Sequence, residues 1–167
     1  GPVNEAVRYP TQWDVVADNL KMLDQTDDNI VVFTSTTISL LTIEHYANTL
    51  LWLQKQNFKK INNIAHNISA SHPVYNPKYL NIAILTPQEK IDLFKNLSSQ
   101  TQGDSRLEEK ILFYSKYYDL MQVKDADQYR KQFSDRFNKF AINQKQDWGT
   151  IFPWASKIAH RWTRDYA

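Results

Sequence analysis

Glycine is almost absent from this chain, and its scarcity limits what the chain can fold into and bind. Three glycines occur among 167 residues, at Gly1, Gly103 and Gly149. The dinucleotide-binding fingerprint and the P-loop each need several clustered glycines so that the backbone can approach phosphate. Neither loop can therefore exist here. The opening Gly1-Pro2 is typical of the residues left by protease cleavage of an expression tag, and we assign residues 1–2 to that origin.

The chain also contains no cysteine, which removes several kinds of chemistry. Disulfides, a thiolate nucleophile, a thiolate zinc site and a cysteine-ligated iron–sulfur cluster are all excluded. We therefore expect this chain to hold no cofactor. No run of 18 apolar residues and no secretion signal is visible, so no membrane partner is expected and a cytoplasmic location is predicted.

The composition is that of a folded chain with an aromatic core. Apolar residues make up 42% of the positions, charged residues 23% and aromatic residues 13%, and the length suits about one domain-sized core. The net charge of +2 is unevenly spread. Residues 1–104 carry 8 basic and 10 acidic groups, whereas residues 105–167 carry 12 and 8. This asymmetry indicates either a basic face or an ordinary solvated helical surface, and we favour the second interpretation.

Hydrophobic spacing predicts a strand–helix–strand unit in the first half of the chain. A helix is expected over residues 11–25, with Thr11 as its N-cap. The β-branched run over residues 30–37 predicts a buried strand, and residues 41–56 predict an amphipathic helix. A second strand is expected over residues 61–69. A unit of this order favours a parallel, right-handed pair of strands.

The second half is predicted to be helical. Two prolines make residues 72–77 a predicted loop. Thr86-Pro87-Gln88-Glu89 has the sequence of a capping box, and it starts a helix that is expected to reach about residue 97. A polar linker over residues 98–103 follows. Helices are then expected from residue 104 or 105 to residue 121, from about residue 125 to residue 140, and after Pro153 within the last run, residues 148–166. The predicted fold class is helix-rich α/β, with a small parallel sheet followed by a C-terminal helical bundle.

Candidate ligand residues lie at the ends of the two predicted strands. Ser35 and Thr37 belong to a run of four hydroxyl-bearing residues that ends the first strand, and His66 and Asn67 lie near the end of the second. The carboxyl ends of parallel strands face the ligand crevice of an open α/β sheet, so these four residues are candidates for ligand binding. The other interpretation gives His66 a structural role and the hydroxyl run only strand propensity and capping.

No arrangement in the sequence predicts a catalytic site. The four histidines lie apart, and none has a metal-ligand spacing such as HExxH. Glu44 and His45 are adjacent, and adjacent side chains on a helix are expected to point apart. A Ser–His–Asp arrangement cannot be recognised from spacing, because its members meet only in the fold. We name no catalytic residue and no metal ligand, and we do not expect this chain alone to be an enzyme.

Aromatic residues and cations alternate along one predicted helix of the second half. Tyr114, Tyr117 and Tyr118 have helical spacing, and Lys110 and Lys116 lie beside them. Rings that stack on bases between cations would have this pattern, and so would a packed amphipathic face. We favour the packed face, so nucleic acid is not an expected partner.

Short segments spread along most of the chain form a family pattern. They are Arg8-Tyr9-Pro10, the Trp13 helix with Asn19-Leu20, Val32-Phe33, Thr37-Ile38-Ser39, Ile43-Glu44-His45, Leu51-Trp52-Leu53, Pro77-Lys78-Tyr79-Leu80-Asn81-Ile82, Leu85, Pro87 and Lys90, Asp135-Arg136, Gln146-Asp147-Trp148, and Ile151-Phe152-Pro153. Together they resemble the second half of a radical SAM barrel, in the group with a twitch or SPASM-type C-terminal extension. The resemblance implies a partial-barrel α/β region over residues 3–97 and a helical region over residues 104–167.

The family's defining CxxxCxxC motif is absent, as are auxiliary-cluster cysteines. S-adenosylmethionine and an iron–sulfur cluster are therefore implied only if sequence upstream supplies the cysteines. The resemblance places Ser35, Thr37 and Asn67 near strand ends on the ligand side. It implies a non-catalytic C-terminal region of a radical-SAM-like protein that binds a substrate or partner.

Two other functional hypotheses remain open beside that one. The first is a helical protein–protein interaction module, and the second is a weak nucleic-acid-binding domain. A protein or peptide is the partner that we expect, and the sequence makes no prediction of the oligomeric state.

Overall fold

The fold consists of helices around one very small sheet. The computed structural model describes residues 2–8, 10–27, 29–30, 32, 34–60, 71–143 and 146–166. In that part of the chain the elements are α1 (Pro2–Val7), α2 (Trp13–Asp24), β1 (Thr36–Ile38), α3 (Tyr46–Lys55), β2 (Ser71–Pro73), α4 (Pro87–Gln100), α5 (Ser105–Leu120), α6 (Ala126–Asn143), α7 (Trp148–Ile151) and α8 (Pro153–Asp165). Short 3-10 turns occur at Ile43–His45, Lys78–Leu80 and Ile82–Ile84. The prediction of a helix-rich α/β fold with a small parallel sheet is confirmed.

The two strands pair in parallel, with Thr36 opposite Ser71 and Ile38 opposite Pro73. Since α3 lies between them in the chain, the predicted strand–helix–strand order is also confirmed. The position of the first strand was wrong, however, since β1 begins at residue 36 and not at residue 30. β2, at Ser71–Pro73, overlaps the start of the loop predicted over residues 72–77. The predicted strand at residues 61–69 lies outside the described residues.

Packing and edge position explain these shifts. Val32, early in the predicted strand, is buried in a separate small cluster with Leu53 and Phe58. Pro73 does not break the pairing because both strands of a two-stranded sheet are edges, where proline is tolerated. The ladder continues past it, as the N–H of Val74 donates to the carbonyl of Ile38 at 2.9 Å.

Asparagine and aspartate occupy backbone positions that glycine usually takes. Gly103 has a φ of 90° in the turn between α4 and α5. Asn57, just after α3, has a φ of 52°, and Asp125, just before α6, has a φ of 59°. These two residue types enter the left-handed region more readily than other non-glycine residues, because their short polar side chains hydrogen-bond locally. The chain therefore makes left-handed turns beside its helices with very little glycine.

Local capping residues fix the starts of α4 and α5. The predicted capping box is confirmed: Thr86 Oγ1 accepts from the N–H of Glu89, and the Glu89 carboxylate accepts from the N–H of Thr86 at 2.7 Å. The helix runs to Gln100, beyond the expected end near residue 97. Asp104 caps α5 by accepting from the first backbone N–H groups of that helix.

The start of α2 differs from the prediction. Its N-cap residue is Gln12, not Thr11, and the Gln12 side chain makes no capping hydrogen bond. The N–H of Trp13 donates to the carboxylate of Glu5 at 2.9 Å instead. The acceptor thus comes from α1, a neighbouring helix that the local sequence pattern does not indicate.

One hydrophobic core joins the sheet region to the C-terminal helices. It includes Ile38 of β1, Leu50 of α3, Leu93 of α4, Tyr118 of α5 and Trp162 of α8, all of which are buried. Within this core α4 packs along α5, and α6 packs along α8. The core thus includes residues from both sides of the predicted linker.

Two buried carboxylates attach α8 to the first hundred residues. Glu44 accepts hydrogen bonds from the N–H groups of Trp154 and Ala155 at 2.8 and 3.3 Å, at the N-terminus of α8. Glu89 accepts one from the indole N–H of Trp162 at 2.9 Å. The first N–H groups of a helix have no partner inside it and carry partial positive charge, so a carboxylate is stabilised there.

Glu44 and His45 do not point apart as expected. Nε2 of His45 lies 3.0 Å from Oε1 of Glu44 and 3.0 Å from the carbonyl oxygen of Ile151. The two residues occupy a 3-10 turn, where the angle between successive side chains differs from that of an α-helix. Both side chains consequently turn toward the junction of α7 and α8.

Substitution of Glu44 tests how much its carboxylate contributes to stability. Glu44→Ala leaves the N–H groups of Trp154 and Ala155 without this acceptor, and Ala155 is fully buried. Hydrogen bonds to charged groups contribute about 1.5–3 kcal/mol, so we expect the free energy of unfolding in urea to fall by about that amount. Glu109→Ala, at an exposed position of α5, is the control and should cost less than about 0.5 kcal/mol. Equal losses in the two variants would contradict this role.

Candidate functional site

Two of the four ligand residues predicted from the sequence, Ser35 and Thr37, belong to the described residues, and both lie at the small sheet. Ser35 precedes β1, Thr37 lies within it, and both are exposed. The carbonyl of Thr37 accepts a hydrogen bond from Thr42 Oγ1 at 2.8 Å, which holds the turn leading to α3. His66 and Asn67 lie outside the described residues. Ligand binding by these four residues stays a prediction.

A cleft of about 210 Å³ opens where α1 meets α6 and α7. Neither Ser35 nor Thr37 lines it. Among the described residues, all but one of those that line the cleft are apolar or aromatic, and the exception is Arg136. The others are Ala6, Val7, Leu41, Tyr79, Leu80, Phe133, Phe137, Phe140 and Trp148. The cleft therefore suits an apolar group that has a negative charge close to it.

One wall of the cleft is a single face of α6. Phe133, Arg136, Phe137 and Phe140 lie at helical spacing and so share that face. Phe133 and Phe137 are buried, whereas Phe140 is 40% exposed, so the wall runs from the core to the rim. The spacing of the phenylalanines is visible in the sequence, but an ordinary core-facing stripe has the same spacing.

Trp148 of α7 closes another side of the cleft. Its ring centre lies 5.4 Å from that of Phe137 in an edge-on arrangement and 5.8 Å from that of Phe140 in a stacked one. Asp147 caps α7, and its hydrogen bonds to Thr150 hold the pKa of its carboxyl below the usual value. Aromatic pairs contribute about 0.5–1.5 kcal/mol beyond their buried area, so this corner of the cleft is formed without a ligand.

Arg136 is the charged residue of the cleft. Its guanidinium carbon lies 4.9 Å from the centre of the Tyr79 ring, in a cation–π contact. In the described part of the chain no carboxylate oxygen pairs with it, whereas Arg130 of the same helix pairs with Asp127. Arg136 therefore presents an uncompensated positive charge to an otherwise apolar cleft.

Further cations lie next to this cleft. Arg8 directly follows Val7, and Lys139 lies about one helical turn beyond Arg136 on α6. Both are exposed, as is Asp135, which precedes Arg136 in the sequence. Carboxylates adjoin the cleft as well, since Glu5 precedes the lining residue Ala6 and Asp147 precedes Trp148. Both accept backbone hydrogen bonds, from Trp13 and Thr150, so Arg8 and Lys139 remain as neighbouring cations that an anion beside Arg136 can meet.

A second polar feature is a cluster of tyrosines against β2. The hydroxyl of Tyr46 lies 2.8 Å from Ser71 Oγ, and the hydroxyl of Tyr114 donates to the carbonyl of Ser71 at 2.8 Å. The hydroxyl of Tyr118 is buried and has no hydrogen-bond partner among the described residues. Most of this cluster therefore braces the sheet, and one hydroxyl in it is unsatisfied.

The predicted packed aromatic face of α5 is confirmed at Tyr114 and Tyr118, which are buried. Phe113 is 45% exposed and stacks on Tyr117. Lys110 is buried, and its burial lowers the pKa of its ammonium group. Two of the three tyrosines and Lys110 are thus turned into the core, whereas Phe113 and Lys116 are exposed.

Two conservative substitutions measure separately how much the hydroxyls of Tyr114 and Tyr118 contribute to stability. Tyr118→Phe removes a buried hydroxyl that has no partner, so we expect the free energy of unfolding to stay unchanged or to rise by up to about 1 kcal/mol. Tyr114→Phe removes a donor from the carbonyl of Ser71 and should lower that free energy by about 0.5–1.5 kcal/mol. Urea denaturation measures both values. A larger loss for Tyr118→Phe would mean that its hydroxyl has a partner.

Burial also makes the stability depend on alkaline pH. Desolvation raises the pKa of the Tyr46 and Tyr118 hydroxyls above the ordinary 10.0, and it raises that of Tyr117 to about 12. Above about pH 10 the unfolded chain therefore loses protons that the folded chain keeps, and stability falls as the pH rises. Lys90 and Lys110 act in the opposite direction. Burial lowers their pKa, so stability rises with pH between the lowered values and the ordinary 10.5.

Above about pH 11.5 only the effect of the tyrosines remains, because both lysines are then largely neutral in the folded and in the unfolded chain. We expect Tyr46 and Tyr118 each to lower the free energy of unfolding by about 1.4 kcal/mol per pH unit there. Their phenolate absorbance should appear together with the loss of helical circular dichroism. Full tyrosine ionisation before the helices unfold would contradict this burial.

The chain matches none of the family models, curated proteins and solved structures with which it was compared. The resemblance to a radical SAM barrel therefore stays a prediction. Among the described residues no group of three or more His, Cys, Asp or Glu side chains could hold a metal ion. In the same residues no helix combines the length and apolarity that a membrane span needs.

Proposed function

We propose that this chain is a protein-binding module and that the cleft between α1, α6 and α7 takes an apolar side chain of its partner. The observation that carries the proposal is an apolar cleft lined by Arg136, which pairs with no carboxylate in the described part of the chain. Small-molecule sites usually measure about 300–1,000 Å³, and this cleft is smaller at about 210 Å³. A single anchoring side chain suits that size, and such anchors supply much of the affinity of protein interfaces.

The residues that line the cleft support binding over catalysis. Those that the structure describes include no Asp, Glu, His, Ser or Lys, which are common general acids, bases and nucleophiles. The inward position of Tyr114 and Tyr118 supports a protein partner over nucleic acid. The absence of cysteine supports a cytoplasmic place of action, which is part of the same proposal.

The C-terminal region of a radical-SAM-like protein is the setting that we propose for this module. The parallel pair of β1 and β2, joined through α3, supports it, because partial β/α barrels are built from such units. This chain would then bind a substrate or partner, and S-adenosylmethionine and the cluster would depend on cysteines upstream. The natural sequence upstream of residue 3 tests this setting. A CxxxCxxC motif there would support it, and its absence would contradict it.

A neutral aromatic probe tests the cleft itself. We expect N-acetyltryptophanamide to bind weakly, with a Kd in the range of about 1 mM, and to shift backbone amide signals of Val7 and Phe140 in NMR titrations. Val7→Trp narrows the rim at a residue that is 40% exposed, and it should weaken binding at least about 5-fold.

Met22→Trp is the matched control. It places the same ring at an exposed apolar position of α2 that does not line the cleft, and it should leave binding unchanged. Probe-induced shifts that lie outside the cleft, or equal affinities in the two variants, would contradict the proposed function.

A further inference from the structure

We propose that the partner of this cleft is an acidic segment of another protein, which inserts one aromatic side chain and places a neighbouring carboxylate on Arg136. This inference rests on the proposed function and adds the chemistry of the partner. The structure contributes three observations to it. They are the aromatic walls, a guanidinium that pairs with no carboxylate in the described part of the chain, and two exposed cations, Arg8 and Lys139, close to lining residues in the sequence.

The walls favour an aromatic guest over an aliphatic one. Tyr79, Phe137, Phe140 and Trp148 all line the cleft, and the last three already pack as edge-on and stacked pairs at 5.4–5.8 Å. An inserted ring would extend this array with the same edge-on or offset geometry, which contributes beyond the burial of area. Phe140 is part of the rim at 40% exposure, so a ring from outside can reach the array.

Arg136 favours a carboxylate beside that ring. Its guanidinium is held over Tyr79 at 4.9 Å, and in the described part of the chain no carboxylate pairs with it. A guanidinium that uses its face for a cation–π contact still has N–H donors along its edge, and those donors match the two oxygens of a carboxylate. Because the cation is already positioned, less side-chain entropy is lost on binding.

The neighbouring cations extend the preference from one carboxylate to an acidic segment. Arg8 and Lys139 are both exposed. In the sequence Arg8 follows the lining residue Val7, and Lys139 lies three residues after Arg136. Several carboxylates in one segment would compensate them together, whereas a single carboxylate at a chain end would meet Arg136 alone. Such complementarity also speeds association and is weakened by salt.

Three capped peptides test the preference by isothermal titration calorimetry. The first has one Trp flanked by Glu residues, the second replaces each Glu by Gln, and the third keeps Glu but replaces Trp by Ala. We expect the first to bind at least about 10-fold more tightly than either of the others, which corresponds to about 1.4 kcal/mol. Addition of salt should reduce its advantage over the Gln peptide.

Variants of α6 assign the preference to Arg136. Arg136→Gln should abolish the difference in affinity between the Glu and Gln peptides. Arg136→Lys keeps the charge but lacks the parallel N–H donors of a guanidinium. It should preserve only part of the difference in affinity between the Glu and Gln peptides. Lys131→Gln removes one charge from an exposed position of the same helix that does not line the cleft, and the full difference should remain. Circular dichroism confirms that each variant is folded.

Each other outcome overturns a defined part of the inference. Equal binding of the Glu and Gln peptides, or a preference that survives Arg136→Gln in a folded protein, overturns the role of Arg136. Equal binding of the Trp and Ala peptides overturns the aromatic anchor. If the neutral probe binds in the cleft and no acidic preference appears, this inference fails alone. If the neutral probe does not bind either, the proposed function fails as well.

Discussion

The hydrogen bonds that Glu44 accepts from the N-terminus of α8 hold together parts of the chain that lie 110 residues apart. They place α8 against the turn that precedes α3, and α8 in turn supports α6, since the rings of Phe133 and Trp162 pack 5.6 Å apart. Phe133 and its neighbour Phe137 are the buried end of the cleft wall. The shape of the cleft therefore depends on a carboxylate that does not touch it.

Three buried charged side chains, those of Lys90, Glu44 and Glu89, bind backbone groups at helix ends or pair with an opposite charge. Lys90 donates to the carbonyl of Tyr118 near the C-terminus of α5 at 2.7 Å, where cations are favoured, and Glu44 has the reverse role at the start of α8. Glu89 combines its capping box with an ion pair to Arg161. Burying a charge is costly unless it is paired and hydrogen-bonded, so these partners are expected. Arg136 differs because it is exposed, lines an apolar cleft and pairs with no carboxylate among the described residues.

Local signals in the sequence predicted local structure well. The capping box at Thr86 specified the start of α4 because all its partners lie within four residues. β1 was misplaced because its apolar beginning, at Val32, is buried against Phe58 and α3 instead of a second strand. The class of fold was predictable from helical periodicity and the order of elements. The exact positions of the strands were not predictable. In a sheet with three paired positions, tertiary packing outweighs β propensity.

The cleft could not be derived from the sequence in the same way. Phe133, Phe137 and Phe140 predict an apolar helix face, but only the fold shows that α1 leaves part of that face uncovered. The position of Arg136 over Tyr79 likewise joins two elements with no shared local pattern. Ser35 and Thr37 were chosen by a rule for the strand ends of open α/β sheets, yet a two-stranded sheet provides little of the crevice to which that rule applies.

The walls of the cleft differ in how firmly they are held, and this determines how a guest would enter. α6 is 18 residues long and packs along α8, so its aromatic face is fixed in advance. α1 has 6 residues, too few for a helix that is stable alone, and its position depends on contacts such as buried Ala6 and the bond from Trp13 to Glu5. Adjustment to a guest should therefore occur on the side of α1, while the rings of α6 and the guanidinium of Arg136 keep their places. Most side chains of such a site lose their conformational freedom during folding. Less entropy is then lost on binding, so more of the contact energy contributes to affinity for the partner.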